Sequence, residues 1–202
     1  MAGAKNLKVF HLASRAEAFD EEKIKILREA KGVWFCGGRQ WRYVDLYLDT
    51  PVEKLMHEVL ARGGAIGGSS AGATIQGDYL VRGNPLGNMQ MMAEGYERGM
   101  GFLKGVAIDQ HFVKRNRFAD MTALKKTFPQ LLGLGLDEGA AVVVNGHTLE
   151  VIGIKDVAIY DKRQAPEKAE DEYVLLKPGE KYDLKALAKI EGGGKREEGG
   201  GK

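Results

Sequence analysis

The amino-acid pattern predicts an α/β fold: a three-layer, mostly parallel sheet with helices on both faces, finished by antiparallel C-terminal strands. Three observations predict it. β-leaning runs alternate with helical stretches over the first two thirds of the chain. Strand-like runs dominate afterwards. Three chemically loaded segments, at Gly37-Gly38, Ser70 and His111, each follow a β run, and the carboxyl ends of strands are where such sheets carry their sites. With 202 residues the chain is long enough for one such domain with a substantial core, here expected over residues 1–190. The Gly/Lys/Glu-rich stretch 191–202 is expected to be disordered.

Taken in order, Lys8-Val9-Phe10-His11-Leu12 reads as a short strand. Residues 17–30 read as a helix with Ile24, Ile26, Leu27 and Ala30 on one stripe. Val33-Trp34-Phe35-Cys36 is a buried-strand run ending in Gly37-Gly38. Residues 41–48 fit a helical turn. Pro51 starts a helix to Arg62, with Thr50 as N-cap and Gly63-Gly64 as its stop. Ala65-Ile66-Gly67 is a short β run. Residues 78–105, rich in Gly, Asn and Met, read as loops with short elements. Val106-Ala107-Ile108-Asp109 is a strand ending at Gln110-His111, and residues 118–128 are helical. Runs at 132–136, 140–144, 151–154 and 157–160 are strands, with Asn145-Gly146 as the strongest hairpin signal in the chain.

Composition excludes several function classes. Hydrophobic residues make up 44% and charged residues 29%, as in ordinary globular proteins, and the net charge of +2 argues neither for nor against a nucleic-acid or membrane partner. No run approaches the ~18 apolar residues of a membrane span, and the first residues lack the apolar core of a signal peptide. The single cysteine, Cys36, permits neither an intrachain disulfide nor a cysteine-based zinc cluster. The expectation is a cytoplasmic protein with no cofactor, no metal and no nucleic-acid or membrane partner.

Gly68-Ser69-Ser70-Ala71-Gly72 reads as G-x-S-x-G between a β run and small, helix-competent residues. That context is a nucleophile elbow, a sharp strand-to-helix turn that lifts the Ser70 hydroxyl above the sheet. Small neighbours are needed because strand and helix backbones come close. A phosphate-cradling Gly/Ser loop is the competing interpretation. A serine nucleophile requires a base and a group that orients the base. Of the four histidines, His111 ends a strand and is the best base. His11 falls in an apolar pattern, His57 mid-helix and His147 beside the hairpin. Asp137-Glu138 follows the 132–136 strand, and Glu138 is preferred as the orienting acid with Asp137 in reserve.

An oxyanion hole needs two convergent N–H donors. Ala71, after the nucleophile, and Gly38 are the candidates. Beyond the base, Lys114-Arg115-Asn116-Arg117 is basic. Arg115 and Arg117 are able to clamp a carboxylate, and Gln40 to hydrogen-bond an amide or carboxylate. Cys36, a rival nucleophile, is expected to be a buried strand residue.

Four motifs thus occur in order: Phe35-Cys36-Gly37-Gly38-Arg39-Gln40, Gly67-Gly68-Ser69-Ser70-Ala71-Gly72-Ala73, Ile108-Asp109-Gln110-His111-Phe112 with Arg115 and Arg117, and Leu136-Asp137-Glu138. The set resembles the cyanophycinase and aspartyl dipeptidase (dipeptidase E-like) family of serine peptidases, closer to the cyanophycinase branch, over roughly residues 7–176. The resemblance implies a fold similar to class I glutamine amidotransferases, with serine replacing cysteine at the elbow. It implies Ser70 as nucleophile, His111 as base and Glu138 behind it, with Gln40, Asp109, Gln110, Arg115 and Arg117 lining the substrate pocket. In a β-aspartyl-arginine substrate, Asp109 would meet the guanidinium and the two arginines a carboxylate. It also implies one more βα unit ahead of the first residue here. Without that unit an open sheet edge is expected, coverable by a second copy in a homodimer. Two positions depart from the family pattern: Arg39 stands where an acidic or small polar residue is common, and Asp120 where cyanophycinases tend to carry a further arginine. The activity expected is a serine-type exopeptidase or isopeptidase cleaving aspartyl or β-aspartyl, cyanophycin-like bonds. The alternatives are a non-catalytic or truncated amidotransferase-like binding module, and a glutamine amidotransferase dependent on Cys36.

Overall fold

The structure is a computed structural model that describes residues 5–161 and 172–191. The stretch expected to be disordered, 191–202, lies outside the described residues apart from Glu191. The chain falls into two compact units, Met1–Gln110 and His111–Lys202.

The first unit is built on a parallel crossover. A 3-10 turn, Arg15–Phe19, leads to two single-turn helices, α1 (Glu21–Ile24) and α2 (Ile26–Glu29). The expected 17–30 helix is thus interrupted, though its stripe still buries Ile24 and Leu27. Strand β1 (Gly32–Phe35) is followed by α3 (Gln40–Tyr47) and α4 (Pro51–Ala61), and β2 (Ala65–Gly68) returns parallel to β1, pairing Phe35 with Gly68. Thr50 caps α4: its Oγ1 accepts from the Val52 N–H at 3.2 Å, ahead of Pro51 in the first turn, where a missing N–H costs nothing. Gly63, at φ 83, takes the left-handed conformation that ends the helix. After the single turn α5 (Ala71–Thr74), strand β3 (Gly77–Tyr79) runs parallel to β4 (Leu103–Gln110). The core of this unit packs Leu12, Ile24 and Leu27 with Phe35, Val52, Leu55, Met56 and Ile75.

Two expectations about this unit fail. Residues 8–12 form no strand. Without a ladder partner among the described residues an apolar run has no reason to stay a strand, and Val9 is 94% exposed while Leu12 is buried. The 33–36 run is not buried on both faces: Phe35 points into the core, whereas Trp34 and Cys36 are exposed. Trp34 lies over Gly67, where a Cβ would sit 2.8 Å from its ring.

The second unit opens with α6 (Phe118–Thr127). Strand β5 (Leu132–Leu136) pairs antiparallel with β8 (Val157–Tyr160), and β8 with β9 (Val174–Leu176). A separate antiparallel sheet has the order β11-β10-β7-β6, from β6 (Ala140–Asn145), β7 (Thr148–Gly153), β10 (Lys181–Asp183) and β11 (Ala188–Ile190). The β6–β7 hairpin forms where expected, shifted by one residue. Asn145 pairs with Thr148, so the two loop residues are Gly146, at φ 59, and His147. The fold is therefore mixed α/β. Parallel pairing occurs at β1–β2 and β3–β4, and the antiparallel share is larger than a mostly parallel sheet would have.

Candidate active site

Ser70 stands between β2 and α5 with φ 55 and ψ −122, a conformation that L residues rarely adopt. The glycines around it explain how the chain gets there. A Cβ on Gly72 would sit 2.1 Å from the Phe35 carbonyl oxygen, and one on Gly68 would sit 2.2 Å from the Gly72 oxygen. The end of β1, the end of β2 and the first turn of α5 are packed backbone to backbone. The turn is closed by Gly72 N–H donating to Ser69 O at 2.9 Å and Ala73 N–H to Ser70 O at 2.9 Å. The helix that follows is a single turn, so its dipole is small.

The Gly37-Gly38 turn lies against the serine: a Cβ on Gly37 would be 3.4 Å from Ser70 Cβ and 3.8 Å from its Oγ. Gly38 has φ 140 and open space where a Cβ would be. The turn is anchored by the Tyr43 hydroxyl, which donates to the Cys36 carbonyl at 2.6 Å; burial pushes the Tyr43 phenol up to about 12. Gln40 is buried at the start of α3, and its Nε2 has no hydrogen-bond partner among the described residues. A buried amide donor left over beside the serine turn is the kind of group a substrate oxygen satisfies. From the end of β4, Gln110 brings Oε1 to 3.5 Å from Ser70 Oγ, a long hydrogen bond.

His111 belongs to the second unit. His111 has φ 51, a second strained non-glycine residue. Phe112 pins the turn after it: its N–H donates to Leu136 O at 3.1 Å, and its ring covers Gly135, where a Cβ would lie 2.6 Å from the ring. That brings His111 beside the residues following β5. Its Nδ1 is 3.1 Å from Glu138 Oε1. With the Nδ1 proton directed at the carboxylate, Nε2 of the neutral ring carries the lone pair. Asp137, the reserve acid, shapes the turn instead, its Oδ1 accepting from the Lys114 N–H at 3.1 Å.

Residues 4–152 match the model of Peptidase family S51. The chain belongs to peptidase family S51. It is 33% identical over 162 residues to a cyanophycinase of Geminocystis herdmanii (strain PCC 6308), covering 79% of this chain and 60% of that protein. It is 32% identical over 166 residues to a cyanophycinase of Synechococcus elongatus, covering 80% of this chain and 51% of that protein. The chain thus spans between half and three-fifths of the length of these relatives. Its fold is similar to that in the crystal structure of a peptidase from an acI-B1 Actinobacterium, with a TM-score of 0.61 at 23% identity over 84% of this chain and 66% of that one.

Several expected pocket residues of this S51 member are placed differently from what the motif order implies. Asp109 is fully buried, and its carboxylate is taken by a residue that sequence reading overlooked, Arg82: Nε donates to Oδ1 at 3.0 Å and Nη2 to Oδ2 at 2.9 Å. Asp109 therefore offers no open carboxylate to a substrate guanidinium. Arg117 is buried at the start of α6 and is not part of an exposed clamp, while Arg115 is exposed. Cys36 is exposed just past β1 rather than buried. Of the other histidines, His57 bonds the Met100 carbonyl at 2.8 Å and lies tilted against the Phe102 ring, and His11 and His147 are exposed. The signal for Arg82 was faint: a lone charge directly after the apolar pair Leu80-Val81, in a stretch with no periodicity. Among the described residues no group of three or more His, Cys, Asp or Glu is arranged to hold a metal ion, and no helix is long and apolar enough to cross a membrane.

Lys114 also escaped a role at the sequence level. Its Nζ donates to both oxygens of Glu138, at 2.7 and 2.8 Å. The Lys114 ammonium, and after it His111, hold the Glu138 carboxyl below its ordinary 4.5. A depressed carboxylate pKa means that the ionised form is the one stabilised in the fold. That contribution is complete above about pH 4.5 and is lost as the pH falls through the lowered value. In Lys114→Met, Glu138 is expected to titrate closer to 4.5, read from its carboxyl carbon by NMR. Because both side chains are half exposed, 1 M salt should give wild type part of the same shift. An unchanged titration in the variant would show that Lys114 does not set the acid.

Proposed function

We propose that this chain is a serine peptidase that cleaves aspartyl or β-aspartyl peptide bonds through an acyl-enzyme. The observation that carries the reading is Ser70, held at φ 55 in a glycine-packed elbow with the Gly37-Gly38 backbone against it. The pairing of His111 Nδ1 with Glu138 supplies the remaining chemistry, and membership of family S51 supports it. Ser70 Oγ attacks the scissile carbonyl carbon as its proton passes to His111 Nε2, and Glu138 stabilises the imidazolium that results. The N–H groups of Gly38 and Ala71 receive the oxyanion; Ala71 is the first residue of α5, whose N–H the helix itself does not need. The C–N bond breaks as His111 returns its proton to the leaving amine. Water, deprotonated by the same imidazole, then attacks the acyl carbon and releases Ser70. Gln40 Nε2 and the exposed Arg115 are the groups offered to a substrate amide or carboxylate. With Asp109 occupied by Arg82, recognition rests on the aspartyl side of the bond rather than on an arginine side chain.

The test is hydrolysis of β-aspartyl-arginine polymer beside aspartyl and isoaspartyl dipeptides, together with labelling by a small serine-directed phosphonate. Cleavage of an aspartyl-type peptide and adduct formation at Ser70 are expected. Folded protein that neither cleaves nor labels would make this chain a binding module instead.

A further inference from the structure

Resting on the assignment of Ser70 as nucleophile, we propose that Arg82 is a positioning residue for that serine, acting through Asp109 and Gln110. The geometry is a chain of polar contacts inside the first unit. The guanidinium grips Asp109 with Nε at 3.0 and 3.1 Å and Nη2 at 2.9 Å. Asp109 Oδ1 also accepts from the Gln110 N–H at 3.0 Å, which fixes the backbone of the residue whose amide oxygen faces Ser70 Oγ. On its other side, Arg82 Nη1 donates to the carbonyls of Asn88 and Met89, each at 3.1 Å, and its N–H donates to Met91 O at 2.9 Å. The Met-rich loop wraps the guanidinium and aims it at the end of β4.

This arrangement is costly in two ways. Arg82 and Asp109 are 2% and 0% exposed, so both charges have lost their water, and an apolar pair of the same volume would serve packing as well or better. Arg82 also sits at φ 57, strain that a residue chosen only for packing need not carry. Both costs fall in the network that ends on the group touching the nucleophile. Lysine cannot replace arginine here: one ammonium does not span a carboxylate and two carbonyls on opposite sides.

The rate at which a small fluorophosphonate modifies Ser70 reads the serine's alignment without the rest of a substrate, and circular dichroism and size-exclusion chromatography confirm that each variant is folded. Arg82→Lys and the isosteric Asp109→Asn are expected to label about tenfold or more slowly than wild type, since small misplacements at a reacting centre are expensive. Because the effect runs through Gln110, Arg82→Lys in a Gln110→Ala background should slow labelling no further than Gln110→Ala alone. Folded Arg82→Lys or Asp109→Asn that labels at the wild-type rate, with only a lowered unfolding midpoint, overturns the proposal and leaves an ordinary structural ion pair. So does a full additional loss in the double variant. If Arg82→Lys fails to fold, Asp109→Asn alone decides. Wild type that does not label at Ser70 overturns the nucleophile assignment, a result distinct from slow variants beside a normally labelled wild type.

Discussion

Ser70→Ala is expected to remove hydrolysis, on the order of 10⁴–10⁶-fold in kcat, while leaving the urea midpoint close to that of wild type. The loss is large because, in the mechanism proposed, Ser70 Oγ is the atom that forms the acyl-enzyme, so alanine forfeits covalent catalysis altogether. The fold is spared because alanine carries the same Cβ at the same φ of 55, and the turn is closed by backbone bonds rather than by the hydroxyl. The long contact from Ser70 Oγ to Gln110, at 3.5 Å, contributes little stability. Steady-state kinetics on the best substrate of the panel, beside urea unfolding of both proteins, checks the two halves together. A variant that retains a tenth of the wild-type rate would remove Ser70 from the mechanism.

Gly72→Ala is the second large effect, and its signature is the opposite: stability and activity fall together. The added methyl would sit 2.1 Å from Phe35 O, 2.5 Å from Phe35 C and 2.6 Å from Cys36 O. All three are backbone atoms at the end of β1, the strand that pairs with β2 through Phe35 and Gly68. No rotamer change relieves such a clash, so β1 must part from the elbow. A cost of about 3 kcal/mol or more is expected, in the range of severe overpacking. Gly87→Ala serves as the control, since nothing lies within 4 Å of a Cβ there and its φ is ordinary; it should move the midpoint little. Equal midpoints for the two variants would show that the elbow is not packed as described.

Much of the serine side was legible from residue order, because a nucleophile elbow is a local device. Glycine at 68 and 72, with a small residue at 71, is dictated by close backbone contacts at the turn, and G-x-S-x-G records those contacts directly. Thr50 before Pro51 was legible for the same reason. The Glu138 preference over Asp137 agrees with the observed contact because the turn after β5 presents Glu138 to His111 and turns Asp137 back on the Lys114 N–H. What misled was partnership at a distance. Residues 8–12 have a strand's composition but no ladder partner among the described residues, and 33–36 reads as doubly buried although one face stays open. Asp109 and Arg117 read as substrate ligands because charge is visible in sequence and burial is not.

By itself, then, the sequence determined the family and the glycine-packed turn around Ser70, since each is encoded by neighbours in the chain, and it nominated Ser70, His111 and Glu138 for the roles proposed above. Only the tertiary structure decided where the charges are spent. Arg82, 27 residues before Asp109, takes that carboxylate out of play, and Lys114 shares Glu138 with His111. Buried ions must find partners wherever the fold brings them, and sequence separation does not record which one each will find.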